Sequence, residues 1–217
     1  MNVQLKQLST GLAQLDLALS DSQQDQLLEY AALVEKWNKT FNLVSRQDIK
    51  RLLPRHLLDS LAGVPLLQGK RILDLGSGAG LPGIPLAIAA PERSFLLLDR
   101  SSRRVRFLKQ VVRNLSLDHV EVAEGDFGQM IADDDMYDTI TARGVTTAPE
   151  VWAMVGKHVS AAGRILVYES TQMNMEEDEQ LPAASTLADS TKVQADRYIY
   201  NVAGLEQRHS ILIIAHA

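Results

Sequence analysis

The segment Arg71-Ile-Leu-Asp-Leu-Gly-Ser-Gly-Ala-Gly-Leu-Pro-Gly83 constrains this chain more than any other. Its first five residues read as a buried strand that runs into a glycine-rich turn. The apolar segment Ile84–Ala90 follows, long enough to start a helix. Glycines allow a backbone to pass close to a ligand, and the helix start behind them offers free N–H groups. Gly78, Gly80 and Gly83 formally satisfy the dinucleotide pattern GxGxxG. The register counts against that match, because the first glycine after the strand is Gly76 and Asp74 precedes it by two residues.

A carboxylate at a strand end is repelled by a pyrophosphate and suits a cationic ligand. Asp74 therefore points to the ammonium end of S-adenosylmethionine, reached directly or through water. A plain tight turn without a ligand is the competing reading. Asp99 ends the next apolar run, where an acidic side chain accepts from ribose hydroxyls; capping the following helix is its alternative role. After the third run come Gly125, Asp126 and Phe127. Asp126 suits an adenine amino group and Phe127 the ring edge, against a loop carboxylate in solvent.

Around this segment the chain divides near Gly69. Residues 1–68 show only helical patterns, and residues 69–217 alternate between short apolar runs and helix-length segments. Leu27, Leu28, Ala31, Val34 and Trp37 recur at helical spacing, with Asp21 or Ser22 available as N-cap. Trp37 and Phe41 fit as anchors of that helix. A second stripe, Ile49 to Leu61, contains Pro54, so a kink or a helix start is expected there. Runs at Arg71–Leu75, Ser94–Asp99, His119–Glu124, Tyr137–Ala142 and Arg164–Tyr168 read as parallel βαβ units. Lys192–Tyr200 and Ser210–His216 flank Ala203-Gly204 as a closing antiparallel hairpin, and Glu176–Glu179 reads as a solvated loop or helix start. The expected fold is α/β, a seven-stranded and mostly parallel sheet with helices on both faces behind an N-terminal helical extension.

Charge is uneven along the chain. The 22 basic and 27 acidic residues give a net charge of −5, which excludes nucleic-acid binding by bulk basicity. Yet Arg100, Arg103, Arg104, Arg106, Lys109 and Arg113 fall between Asp99 and Asp118 without an intervening acid. On a helix that buries Val105, Leu108, Val111, Val112 and Leu115, the cations Arg106, Lys109 and Arg113 share another face. This ridge suits phosphates, and a solvated helix face is the bland alternative. Arg143 closes the fourth run, at the sheet edge where open α/β folds bind ligands. There it could hold donor, phosphate or target base, or simply close a strand end in a salt bridge. His56 sits on an apolar face and reads first as a hydrogen-bonded core histidine, second as a catalyst. The chain has no cysteine, and its histidines lack metal spacing, so no metal is expected. No window suits a membrane span, the N-terminal residues are too polar for a secretory signal, and a cytoplasmic monomer is expected.

Taken together, Trp37-Asn-Lys-Thr-Phe-Asn42, Arg55-His-Leu-Leu-Asp59-Ser60, Asp74 to Pro85, Leu98-Asp99, Arg103 to Leu108, Tyr137-Asp138 and Ala142-Arg143 resemble the small-subunit ribosomal RNA methyltransferase G family. Gln207-Arg208-His209 is a weaker echo. The resemblance implies a class I, Rossmann-like S-adenosylmethionine-dependent methyltransferase acting on N7 of one guanine in 16S rRNA. It carries donor contacts over to Gly76, Leu81, Phe127, Gly128 and Arg143. It also departs from the family: Glu169 stands where a lysine is usual after the fifth strand, and Arg103 replaces a lysine. Glu169 is therefore expected to offset Arg143 or to hold a base edge, and both are candidate catalytic residues. The alternatives are a diverged methyltransferase acting on another RNA, a protein or a small molecule, a binding module without turnover, and an NAD-dependent oxidoreductase.

Overall fold

The computed structural model describes residues 3–45, 47–169 and 193–217. Ser170, Glu176–Glu179 and Lys192 lie outside them. Helix α1 spans Val3–Gln14 and α2 spans Asp21–Phe41. The N-cap of α2 is Ser20, one residue before the expected position. Its hydroxyl accepts from the Gln23 N–H, and the Gln23 side chain accepts from the Ser20 N–H, a reciprocal capping box. Asn42 ends the helix in the left-handed region at φ 48°. Along α2 the fully buried residues include Tyr30, which the expected stripe omitted, whereas Leu28 and Trp37 are only half-buried. Beyond it, a 3₁₀ turn at Asp48–Arg51 leads into a π-helical segment at Leu53–Leu58 and then α3 at Asp59–Leu61. Pro54 stands at the start of the π segment, where a missing N–H costs nothing.

Seven strands follow among the described residues: β1 Arg71–Leu75, β2 Ser94–Asp99, β3 Val120–Glu124, β4 Tyr137–Arg143, β5 Val159–Glu169, β6 Val193–Tyr200 and β7 His209–His216. Between them run α4 Gly83–Ala89, α5 Ser102–Asn114, α6 Phe127–Met130 and α7 Ala148–Val155. The sheet order is β3-β2-β1-β4-β5-β7-β6. Neighbours are parallel from β3 to β5, and β7 runs antiparallel to both β5 and β6. The expected α/β architecture and closing hairpin are both present. Strand β5 begins five residues earlier than its apolar run suggested.

Strand side chains alternate between faces, and that parity sorts the core into two layers. On one face Ile72, Leu166, Tyr168 and Ile211 pack with α4, α5 and the N-terminal helices. On the other, Leu73, Leu75, Val167 and Leu212 pack with Phe127, Val151 and Val155. Residues 1–68 thus contribute to a core continuous with that of the sheet. The helix α4 is buried on every side, including Ile84, Leu86 and Ile88. Glycine is required at its start, since a Cβ on Gly83 would lie 2.4 Å from Leu97 and 2.5 Å from Asp74.

Candidate active site

A cleft of about 570 Å³ opens at the carboxyl ends of β1 and β2, on the α6–α7 face of the sheet. That position is the switch point where strand order reverses between β1 and β4. Of the residues predicted from sequence, Gly76, Asp99, Asp126 and Phe127 lie on its wall. Gly76 and Gly78 both adopt positive φ, at 67° and 61°. A Cβ on Gly78 would meet nothing closer than the Gly76 carbonyl at 3.8 Å, so the space above the turn is open.

Asp99 holds this turn in shape. One oxygen accepts from the Gly78 N–H at 2.8 Å and the other from the Ser101 N–H at 2.8 Å. Arg104 approaches at 3.4 Å from the rim. Ser101, not Asp99, is the N-cap of α5. An ionised carboxylate offers about four acceptor sites, so Asp99 retains capacity for a ligand hydroxyl. Asp126 is exposed, and Phe127 is buried with its ring edge-on to His158 at 4.9 Å. From the other side of the turn, the Tyr30 hydroxyl donates to the Ala79 carbonyl at 2.7 Å, anchoring the loop to α2.

Several expected contacts fall elsewhere, mostly by strand parity. Asp74 points to the opposite face and has no exposed surface. Its oxygens accept from the Thr141 hydroxyl at 2.7 Å and the Gly83 N–H at 3.2 Å, so it clamps the start of α4 instead of facing a ligand. Gly80 faces Ile84 and Leu108 and serves packing. Leu81 is buried among core residues off the cleft wall, and Gly128 is exposed beyond it. Arg100 and Arg104, read from sequence only as part of the basic run, also lie on the wall, together with Val145, Thr146, Glu150 and Met154, which carried no sequence assignment. The position of Val145 and Thr146 just after β4 was the available signal.

Arg143 also projects to the face opposite the cleft, while its neighbour Gly144 lines the cleft. Its guanidinium donates to Asp59 at 3.2 Å and Ser60 at 3.3 Å, and meets His56 Nδ1. Asp59 further accepts from the Tyr200 hydroxyl at 2.8 Å and pairs with His209 Nδ1 at 2.9 Å. Burial pushes the Asp59 carboxyl up, but the bond from His209 and the Arg143 charge outweigh it and hold it low. His56 is buried and bonded through Nδ1, as its core reading requires, while Nε2 has no hydrogen-bond partner among the described residues. The expected pairing of Glu169 with Arg143 is not formed. Arg143 lies opposite Tyr168 in the ladder, so Glu169, one residue on, points to the other face. There it pairs with Arg197 at 3.1 Å and accepts from Ser210.

Asp74 gives a pH test. Burial pushes its carboxyl up to about 6, against the lowering effect of its bonds from Thr141, Ser77 and Gly83. The folded chain therefore binds this proton more tightly than the unfolded chain, and the contribution to stability grows as pH falls through about 6. His56 acts in the opposite sense: burial lowers it to about 4, so its contribution is lost as pH falls from 6.5. Comparing Asp74→Asn with the parent cancels the His56 effect. Relative to the parent, the variant should become about 3 kcal/mol less stable between roughly pH 7 and pH 4 in urea unfolding. A pH-independent difference would contradict the buried, raised carboxyl.

The basic ridge is placed as expected. Arg103, Arg106, Lys109 and Arg113 are all exposed on α5, over a buried stripe that includes Phe107, whereas Val112, expected within it, is only half-buried. Among the described residues no cluster of His, Asp or Glu could hold a metal, and no helix is long and apolar enough to cross a membrane.

The ribosomal RNA small subunit methyltransferase G of Marinobacter nauticus is 38% identical over 211 residues, covering 97% of this chain and 94% of its own length. The Serratia proteamaculans protein of the same name is 36% identical over 213 residues, covering 97% and 99%. Among solved structures, the O-methyltransferase TomG of Streptomyces achromogenes, crystallised with SAM, aligns with a TM-score of 0.59 at 15% identity over the whole of both chains. A precorrin-6y C5,15-methyltransferase from Geobacter metallireducens aligns at 0.53 and 18% identity, covering 82% of this chain and 92% of its own. At such identities the structural matches establish the fold. Residues 23–208 match the family described as rRNA small subunit methyltransferase G, and the chain belongs to that family.

Proposed function

We propose that the chain transfers a methyl group from S-adenosylmethionine to N7 of a guanine in 16S ribosomal RNA of the small subunit. Membership of the rRNA methyltransferase family along most of the chain carries this reading. The cleft fits the donor on its own terms. Gly76, Asp99 with its spare acceptor capacity and the Phe127 ring on the wall together suit an adenosine-bearing ligand, and the space above neighbouring Gly78, itself off the wall, is open. Bound there, the donor supplies an electrophilic methyl group.

The chain's own residues then bind and orient. With the donor bound, Asp99 would accept from ribose hydroxyls and Asp126 from the adenine amino group, and Phe127 would pack against the ring. Guanine N7 carries a lone pair and no proton, so attack requires no general base, and positioning and electrostatics suffice. Arg143 acts as a positioning residue: fixed by Asp59 and His56, it holds the end of β4, from which Gly144 and Val145 line the cleft. Glu169 steadies the β5–β7–β6 edge through Arg197 and Ser210. We further take the enzyme to act as a monomer in the cytoplasm.

The exposed cations of α5 supply the phosphate contacts. Replacing Arg106, Lys109 and Arg113 together by glutamine should weaken binding to small-subunit RNA and reduce the slope of log affinity against log salt by about 2–3. Donor affinity in calorimetry should stay unchanged, and S-adenosylmethionine should bind where NAD does not. An unchanged salt slope would return this helix to the role of a solvated face.

A further inference from the structure

A groove of about 490 Å³ runs between the outer face of α5 and β3, the edge strand of the sheet. It shares no lining residue with the donor cleft. Trp37, Val112, Val120 and Val122 give it an apolar side, and Arg106, Lys109 and Arg113 stand around it. The Trp37 ring is half-buried and held in place by Phe41 at 5.1 Å and by Phe107, edge-on, at 5.4 Å. Arg103 lies over the Phe41 ring at 5.7 Å, extending the alternation of cation and aromatic along the same surface.

An aromatic wall beside three exposed cations has a specific chemical complement. Bases stack on aromatic rings whatever their identity, and the phosphates beside them meet arginine and lysine. The cations are concentrated here although the whole chain carries −5, so they are not a by-product of composition. A peptide added to the β3 edge would gain backbone bonds, but it would answer the cations only if acidic, and strand pairing makes no use of the Trp37 ring face. In a duplex the base faces are covered by their neighbours, so stacking on Trp37 needs an unpaired nucleotide.

We propose that this groove is a second RNA subsite, which takes an unpaired nucleotide with its base against Trp37 and its flanking phosphates against Arg106, Lys109 and Arg113. The inference rests on the reading of this chain as an RNA methyltransferase. It adds that RNA is gripped at a single-stranded position separate from the methylated guanine.

The test uses the full chain with Trp152→Phe, which leaves Trp37 as the remaining tryptophan of the two. Titration with a short single-stranded oligouridylate should quench Trp37 fluorescence to saturation. Inorganic polyphosphate should bind through the cations without quenching, and a blunt RNA duplex should quench far less. Trp37→Leu should lower oligouridylate affinity about fivefold or more, the weakest loss expected for one stacked base. Polyphosphate and S-adenosylmethionine affinities should not change. Oligouridylate binding without quenching, or with unchanged affinity in Trp37→Leu, overturns the subsite and leaves the groove to a generic polyanion or a peptide. Failure of the unaltered chain to bind small-subunit RNA at all, measured by filter retention, removes the wider reading as well.

Discussion

An Asp59→Ala protein should lose about 3–5 kcal/mol of stability, the cost of leaving one partner of a buried ion pair uncompensated. Asp59 accepts from Arg143, Tyr200 and His209, which lie on β4, β6 and β7, while its own backbone belongs to the N-terminal segment. Removing the carboxylate strands a largely buried guanidinium and two donors at once. Asp59→Asn keeps the shape and part of the bonding, so its loss should be smaller. Urea unfolding at neutral pH measures both. A loss below about 1 kcal/mol for the alanine variant would mean that the cluster is solvated and does not tie the N-terminal segment to the sheet.

The second large effect falls on the glycine turn. Gly78→Val should abolish donor binding in calorimetry while the protein stays folded. Its Cβ enters the open space above the turn, and the positive φ costs about 1–2 kcal/mol, which a domain of this size tolerates. Gly83→Ala should behave in the opposite way. Its Cβ collides with Leu97 and Asp74 inside the core, so stability falls first and donor binding is lost only with the fold. Both are glycines of one motif, and the structure separates their roles by what surrounds them. Donor binding retained by a folded Gly78→Val protein would remove the turn from the donor site.

The contrast shows what the sequence made legible. The strands themselves, though not their order in the sheet, were legible from apolar runs that close near Asp74, Asp99 and Arg143, because a buried parallel strand must be apolar until it reaches the ligand edge. Gly76, Asp99, Asp126 and Phe127 were readable as cleft residues for the same reason. Asp74 and Arg143 stand at the same edge, but they project to the face covered by α4 and the N-terminal segment. Parity was readable within each strand, but which face would carry the cleft was not, since both faces are apolar. The same ambiguity hides the partner of Glu169: one residue beyond Tyr168, it faces Arg197 on β6 and not Arg143. Tyr30 and Phe107 escaped the helical stripes because tertiary packing, more than spacing, decides burial at the margin of an apolar face.

The most direct measurement is methyl transfer itself. Small subunits from cells lacking this gene are incubated with the purified protein and S-adenosylmethionine, and the 16S rRNA is digested and analysed by mass spectrometry. The account predicts N7-methylguanosine at a single position, absent when Gly78→Val replaces the parent. Methylation of a different atom or a different RNA, or no transfer by a protein that binds the donor, would contradict it.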